Sequence, residues 1–159
     1  MDKTIDRSTG KKMNISAKYK IFRGILLFWT FFIGLGAVGG AACLLIDPSG
    51  KLMSMDVLLP LFQKLPFADV LFQNFIVPGI ALLVGNGLTN LAAAILILKK
   101  KKAGIVCGGI FGITLMLWIC IQFYIFPFNY MSSAYFVFGF CQAITAFLAL
   151  KYSTEKNFA

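Results

Sequence analysis

The fold is decided by residues 77–126, which read VPGIALLVGNGLTNLAAAILILKKKKAGIVCGGIFGITLMLWICIQFYIF. Two apolar runs stand on either side of four consecutive lysines, Lys99–Lys102. A membrane-spanning helix needs about 20 apolar residues, with a range of about 17–25, and both runs are that long. The stretch therefore predicts two antiparallel transmembrane helices, at about 77–98 and 103–126, joined by a basic turn.

Two further apolar runs, at about 21–46 and 134–150, lie outside this hairpin. The whole chain of 159 residues is 59% hydrophobic and 13% charged, with a mean hydropathy of +0.84. Soluble domains are about 45–50% apolar and about 25% charged, so this composition excludes an ordinary soluble domain. We predict an all-α integral membrane protein, a four-helix bundle whose transmembrane domain covers residues 21–151.

The charges predict the orientation of this bundle. Seven of the 15 Lys and Arg residues precede residue 24, four form Lys99–Lys102, and Lys151 and Lys156 follow the last span. Positive residues are retained on the cytoplasmic side. We therefore expect a basic tail at 1–20 and a short tail at 152–159, both cytoplasmic, in a protein of the cell membrane. The basic residues form no face with interleaved aromatics, so nucleic acid is not an expected partner.

The first apolar run could also be read as part of a secretory signal peptide. Its basic leader suits a signal peptide, but the run at 21–46 has 26 residues, whereas a signal core has about 7–15. We expect the first span to be retained as a transmembrane helix.

The only long connection, residues 47–76, is predicted to be external. It opens with the turn sequence Asp47-Pro48-Ser49-Gly50, in which proline fixes φ and glycine allows a positive φ. Residues 55–72 are too apolar for a solvated loop and are interrupted by Pro60 and Pro66. We predict short amphipathic helices here. They could be a plain anchor at the membrane surface or a lid over the bundle.

The chain has little that could carry catalysis. It has no His, and no Asp, Glu, Lys or Arg lies within the four predicted spans beyond their ends. Proton and ion pathways usually need such groups, and hydrolases need a base. We therefore expect a non-enzymatic protein with no cofactor and no metal. Four cysteines lie in the spans without a C-x-x-C motif. They are expected to pack as small apolar residues, with a thiol oxidoreductase using Cys120 and Cys141 as a remote alternative.

Uncharged polar side chains within the spans are the stronger signal. Asn86 and Asn90 share a helix face, as do Trp118 and Gln122, and the last span contains Gln142. Counted from the predicted outer ends, Asn86, Trp118 and Gln142 each lie about 12–14 Å deep. These five residues predict an amide-lined ligand pocket in the outer half. The alternative is interhelical hydrogen bonding that fixes helix register, at about 0.6 kcal/mol per contact.

Small residues predict close helix packing. Gly36 and Gly40 form one G-x-x-x-G motif, and Gly104, Gly108 and Gly112 form two overlapping ones. Such positions let helix backbones approach closely. We expect at least one of these seams to serve packing within the bundle, and the other could serve a homo-oligomer.

Three features together carry a resemblance to known proteins: the glycine-rich first span that runs into Asp47-Pro48-Ser49-Gly50, Asn86-Gly87-Leu88 in the second, and Trp118-x-x-x-Gln122 in the third. Over about residues 24–150 the chain resembles small four-span bacterial membrane proteins of unassigned function. In size and number of spans it is also similar to DoxX-like proteins and to the four-helix sterol-binding family that includes emopamil-binding protein. This resemblance implies the architecture and carries over no site residue.

The expected function follows from the uncharged pocket. We predict a protein that binds a neutral lipophilic small molecule or acts as an accessory membrane subunit. The alternative is an oligomeric transporter or channel component for a neutral solute or lipid. The lipid bilayer is the expected partner, and a homo-oligomer or a larger membrane complex is left open.

Overall fold

A computed structural model describes residues 2–125 and 128–158 of the chain, with side chains described for 14–125 and 128–155. Four long helices dominate it, and we name them α1 to α4 in chain order: Asp2–Ile46, Ile76–Leu98, Lys102–Ile125 and Tyr130–Phe158. All four contain a segment long and apolar enough to cross a membrane. The described part of the chain has no β-strand. The predicted all-α fold with four helices able to span a membrane is therefore confirmed.

The first and last helices extend beyond the spans predicted for them. Residues 2–20 continue α1 without a break, because this segment contains no proline and only one glycine, Gly10, to end a helix. The helix α4 begins at Tyr130, four residues before the predicted span. Asn129 caps it, since the Asn129 Oδ1 accepts a hydrogen bond of 2.8 Å from the backbone N–H of Ser132.

The four helices pack as a square in chain order. Helix α1 packs against α2 and α4, and α3 packs against the same two helices. The Phe22 ring of α1 stacks on the Tyr152 ring of α4 at a centroid distance of 5.5 Å, and a core cluster at the same end joins Leu26, Ile97 and Ile105. Both end helices thus reach the end of the bundle that carries Lys99–Lys102. We call it the lysine end, and its cytoplasmic location stays a prediction from the charges.

The described surface is apolar along the spans. Large side chains such as Phe28, Leu35, Leu117 and Phe147 are more than half exposed. Exposed apolar surface of this extent is rare on soluble proteins and suits contact with lipid. The polar side chains of the spans show the opposite preference, since several of them are fully buried. The exterior is therefore that of a multi-pass membrane protein.

The predicted glycine seams face neighbours inside the bundle. A Cβ built on Gly104 would lie 2.5 Å from the backbone N of Ile97, and one on Gly112 would lie 2.9 Å from the carbonyl oxygen of Gly139. These contacts join α3 to α2 and to α4 at backbone distance, which only glycine permits. A Cβ on Gly36 would lie 3.2 Å from the Tyr135 Oη, and one on Gly40 3.4 Å from a Leu82 methyl. Both seams therefore contribute to packing within one chain.

The connection between α1 and α2 is anchored by the predicted turn. The Asp47 carboxylate accepts hydrogen bonds from the Ser49 hydroxyl at 2.6 Å and from the Leu52 backbone N–H at 2.9 Å. These bonds, the Ser49 hydroxyl first, lower the pKa of Asp47. Gly50 has φ +80, and a Cβ there would lie 2.6 Å from the Phe75 ring, so glycine is required.

The rest of this connection is a chain of short helical turns. They span Lys51–Met53, Asp56–Leu58, Leu59–Phe62 and Ala68–Leu71. Phe62 stacks on Phe72 at 5.1 Å and meets the edge of Phe75 at 5.8 Å, which ties the segment to the start of α2. The turns have three or four residues each. The amphipathic helices and the membrane-surface position expected for this segment stay predictions.

Candidate functional site

A set of hydrogen-bonded amides crosses the centre of the bundle. Gln142 of α4 is fully buried, and its Nε2 donates to the Asn90 Oδ1 of α2 at 2.8 Å and to the backbone carbonyl of Gly108 in α3 at 2.6 Å. The Asn90 Nδ2 in turn donates to the backbone carbonyl of Asn86 at 2.9 Å. We call Asn86, Asn90 and Gln142, with the Gly108 carbonyl, the amide layer. It joins three helices, including the diagonal pair α2 and α4.

Glycine at the centre of the bundle makes this diagonal contact possible. A Cβ on Gly108 would lie 3.3 Å from a Leu26 methyl and 3.4 Å from the Thr30 methyl of α1. Helix α1 therefore closes the fourth side of the amide layer. Thr30 is fully buried there, and its hydroxyl donates to the Leu27 carbonyl at 2.9 Å. The sequence reasoning missed Thr30, although it is the only hydroxyl residue in the apolar run from 24 to 46.

The helix that carries the two asparagines is widened at the layer. Residues Leu83–Leu88 form a π-helical turn, which includes Asn86 and interrupts the α-helical pattern of α2. Two side chains fold back on carbonyls of this turn: the Thr89 hydroxyl donates to the Gly85 carbonyl at 2.7 Å, and Asn90 donates to that of Asn86. Single π turns within α-helices are frequent at functional sites. The turn places the Asn86 side chain in the bundle interior, where it is 2% exposed.

Two polar atoms of the amide layer are buried without a hydrogen-bond partner, the Asn86 Oδ1 and the Gln142 Oε1. Each such buried acceptor costs about 1–3 kcal/mol when nothing donates to it. The orientation of the Gln142 amide follows from its surroundings, because its Nε2 faces two acceptor oxygens. A flipped amide would place the Gln142 Oε1 against these two oxygens, with no hydrogen between them. The layer therefore offers unpaired acceptor atoms to a donor.

The layer is uncharged. The buried polar side chains of the described residues are Thr30, Asn86, Asn90, Ser132, Gln142 and Thr145, and none of them is ionisable in the physiological range. The flanking positions one turn away, Ala93 and Ala94 on α2 and Ala146 on α4, are fully buried and apolar. The arrangement suits hydrogen bonding to a neutral group in a dry, apolar setting.

Trp118 and Gln122 lie away from the layer. The Gln122 Oε1 accepts a hydrogen bond of 3.0 Å from the Ser132 hydroxyl at the start of α4. Trp118 is half-buried and packs against the cluster of Ile33, Leu115 and Ile119. On α3, Trp118 is about 15 Å from Gly108, at 1.5 Å per residue. The structure therefore brings together three of the five predicted pocket residues.

The prediction that Trp118 and Gln142 lie at the same depth is wrong, because α4 begins four residues earlier than predicted. A start at residue 134 would put Gln142 about 12 Å into the helix, whereas the observed start at Tyr130 puts it about 18 Å in. Its partner, the Gly108 carbonyl, lies toward the Lys99–Lys102 end of α3. The amides consequently lie close to the middle of the bundle, nearer to the lysine end than Trp118 does.

Cysteines and metal ligands add no second site. Cys43, Cys107, Cys120 and Cys141 are free thiols, so neither the pair Cys120 and Cys141 nor any other described pair forms a disulfide. Among residues 2–125 and 128–158 no group of three or more His, Cys, Asp or Glu residues is placed to hold a metal ion.

Comparison with known proteins supplies no family for this chain. No family model matches it, and neither a curated protein nor a solved structure does.

Proposed function

We propose that this chain is a non-enzymatic multi-pass protein of the cell membrane, with both termini in the cytoplasm, that binds a neutral lipophilic small molecule at the amide layer. One observation carries the proposal: the Gln142 Oε1 is buried at the centre of the bundle, is held in place by two bonds from its own Nε2, and has no donor. A bound molecule that donates to this oxygen would remove the cost of its burial.

The uncharged surroundings support a neutral ligand. A charged group in a dry interior costs several kcal/mol unless it is paired, and no buried side chain described in the layer offers a counter-charge. The apolar residues beside the amides support a lipophilic one. Leu26, Ala93 and Ala146 have almost no exposure and would contact hydrocarbon. The apolar outer faces of the helices suit a ligand that arrives through the lipid.

The external connection fits the role of a surface anchor better than that of a lid. Val57, Phe67 and Val70 are 71%, 77% and 77% exposed, so their apolar side chains are free to enter the membrane interface. The bilayer is the proposed partner of the protein. Association as an accessory subunit, a homo-oligomer or part of a larger complex stays a prediction. The resemblance to DoxX-like proteins in size and number of spans fits this proposal and adds no site residue.

Native mass spectrometry tests the proposal. The full-length protein is purified from its membrane in a mild detergent, and the small molecules that remain bound are released and weighed. Gln142→Leu removes the amide, and Gln122→Leu is the matched control because it removes the same side chain at another level of the bundle. We expect the wild type and Gln122→Leu to retain a common neutral adduct that Gln142→Leu loses. Equal adducts in all three proteins, or none in any, would refute the proposed site.

A further inference from the structure

We infer that the ligand of the amide layer presents a neutral hydroxyl, whose hydrogen is donated to the Gln142 Oε1, so that the site selects an alcohol over an ether of the same shape. This inference rests on the proposed function and specifies its ligand class. It follows from which atoms of the layer already have partners and which do not.

The donors of Gln142 are used within the protein. Both hydrogens of its amide nitrogen have acceptors, the Asn90 Oδ1 at 2.8 Å and the Gly108 carbonyl at 2.6 Å. The Asn90 Oδ1 is therefore already the acceptor of a hydrogen bond from Gln142. Among the described side chains, the two buried atoms left without partners, the Asn86 Oδ1 and the Gln142 Oε1, are both acceptors. An ether, ketone or ester brings only further acceptors and leaves both oxygens unpaired.

The lack of charge in the layer favours a neutral hydroxyl over a protonated amine as the donor. An ammonium group would also donate to the two oxygens, but the described residues include no buried carboxylate that could balance it. The six Asp and Glu residues of the chain all lie outside the four spans or at their ends. An unpaired cation in an apolar interior is far more costly than a neutral hydroxyl. The site therefore favours the neutral donor.

The attached hydrocarbon distinguishes an alcohol from a water molecule. A water molecule has hydrogens for both unpaired oxygens but brings no apolar surface to the buried aliphatic residues beside them. A hydroxyl needs one acceptor, and its attached hydrocarbon gains contact with apolar neighbours. Fully buried residues such as Ala94 and Ile97 of α2 and Ala149 of α4 continue from the amide layer toward the lysine end.

A matched pair of photoreactive probes tests the inference: a long-chain alkyl diazirine that ends in a hydroxyl, and its methyl ether. The full-length protein in lipid nanodiscs is irradiated with each probe, and labelled peptides of α2 and α4 are quantified by mass spectrometry. One hydrogen bond to a buried acceptor corresponds to about tenfold in affinity. We expect about tenfold more labelling around the amide layer by the alcohol.

Two variants tie this difference to the amides. Gln142→Leu is expected to reduce alcohol labelling to the level of the ether, whereas Gln122→Leu leaves the preference intact. Gln142→Met is a second test in case Gln142→Leu does not fold, because it removes the same acceptor and keeps an unbranched side chain of similar length. It should reduce the alcohol preference while the far-ultraviolet circular dichroism stays that of the wild type.

The outcomes separate this inference from the proposed function. Equal labelling of the layer by alcohol and ether, lost from both in Gln142→Leu, would overturn the hydroxyl preference and leave a lipophilic site. An alcohol preference that persists in both Gln142→Leu and Gln142→Met would also overturn it. Labelling by neither probe, as expected if only a water molecule occupies the layer, would overturn the inference and the binding function together.

Discussion

The two asparagines of α2 should respond to substitution with opposite signs, although they lie one turn apart on one helix face. Asn90→Leu removes two hydrogen bonds, its own to the Asn86 carbonyl and the one it receives from Gln142. Asn86→Leu removes neither, because Asn86 enters the layer through its backbone carbonyl, while its side-chain Oδ1 is buried and unpaired. The two substitutions therefore compare the loss of an amide that is hydrogen-bonded within the layer with the loss of an acceptor that has no hydrogen bond.

The magnitudes follow from these bonds. Hydrogen bonds between membrane helices contribute about 0.6 kcal/mol on average and about 1.7 at most, so Asn90→Leu should lose about 1–3 kcal/mol of the free energy of unfolding. The upper part of this range covers the Gln142 N–H that loses its acceptor. Asn86→Leu removes an unpaired buried acceptor and should raise the free energy of unfolding of ligand-free protein by about 1 kcal/mol, less any strain from the branched side chain.

The assay is reversible unfolding in mixed micelles with increasing sodium dodecyl sulfate, followed by far-ultraviolet circular dichroism on delipidated protein. Thr114→Val is the control, because the Thr114 hydroxyl bonds only the Ile110 carbonyl of its own helix on an exposed face. We expect its free energy of unfolding to stay within about 0.5 kcal/mol of the wild type. Equal destabilisation by the two asparagine substitutions, or no loss with Asn90→Leu, would refute the hydrogen-bond pattern described for the layer.

Three further perturbations test other parts of the fold. Gly112→Val should prevent or strongly weaken folding, because its Cβ would lie 2.9 Å from the Gly139 carbonyl, whereas Gly24→Ala, with open space around it, should unfold in the same assay like the wild type or slightly later. The pKa of Asp47 is lowered in the folded protein by its hydrogen bonds. These bonds therefore stabilise the turn at 47–50 at pH values above the unfolded pKa of about 3.9, and they are lost as the pH falls through the lower folded value. Proteolysis of this connection should be constant from about pH 7 to 5 and increase only below about pH 4; an increase near pH 6 would contradict the assignment. Amine-reactive labelling of intact cells should not reach Lys99–Lys102 until the membrane is opened, and labelling from outside would reverse the predicted orientation.

The helices of this chain were predictable because each span is a long apolar run bounded by basic or turn residues. Lys99–Lys102 places the α2–α3 turn, and Asp47-Pro48-Ser49-Gly50 places the end of α1. The four-residue spacing of Asn86 and Asn90 indicates a shared helix face, and the ligand pocket itself stays a prediction. These features are local or depend only on hydropathy, which one sequence records.

The parts that were not predictable depend on where helices meet. The start of α4 at Tyr130 depends on the Asn129 cap. Because the predicted start was four residues too late, the predicted depth of Gln142 differed from the observed depth by about 6 Å. The π turn at Leu83–Leu88 has no pattern in the sequence that separates it from an ordinary helix. Gly139, which contacts Gly112, belongs to no G-x-x-x-G motif and becomes important only through the partner helix.

The surroundings of the Gln142 Oε1 test the central claim most directly. A structure determined experimentally in lipid nanodiscs, without added ligand and at a resolution that shows ordered water, would reveal what this oxygen contacts. The account predicts density outside the protein, continuous with an elongated apolar molecule, at about 2.6–3.0 Å from the Oε1, while the Nε2 contacts the Asn90 Oδ1 and the Gly108 carbonyl. A protein donor in that place, or an Oε1 that faces only packed hydrocarbon, would contradict it.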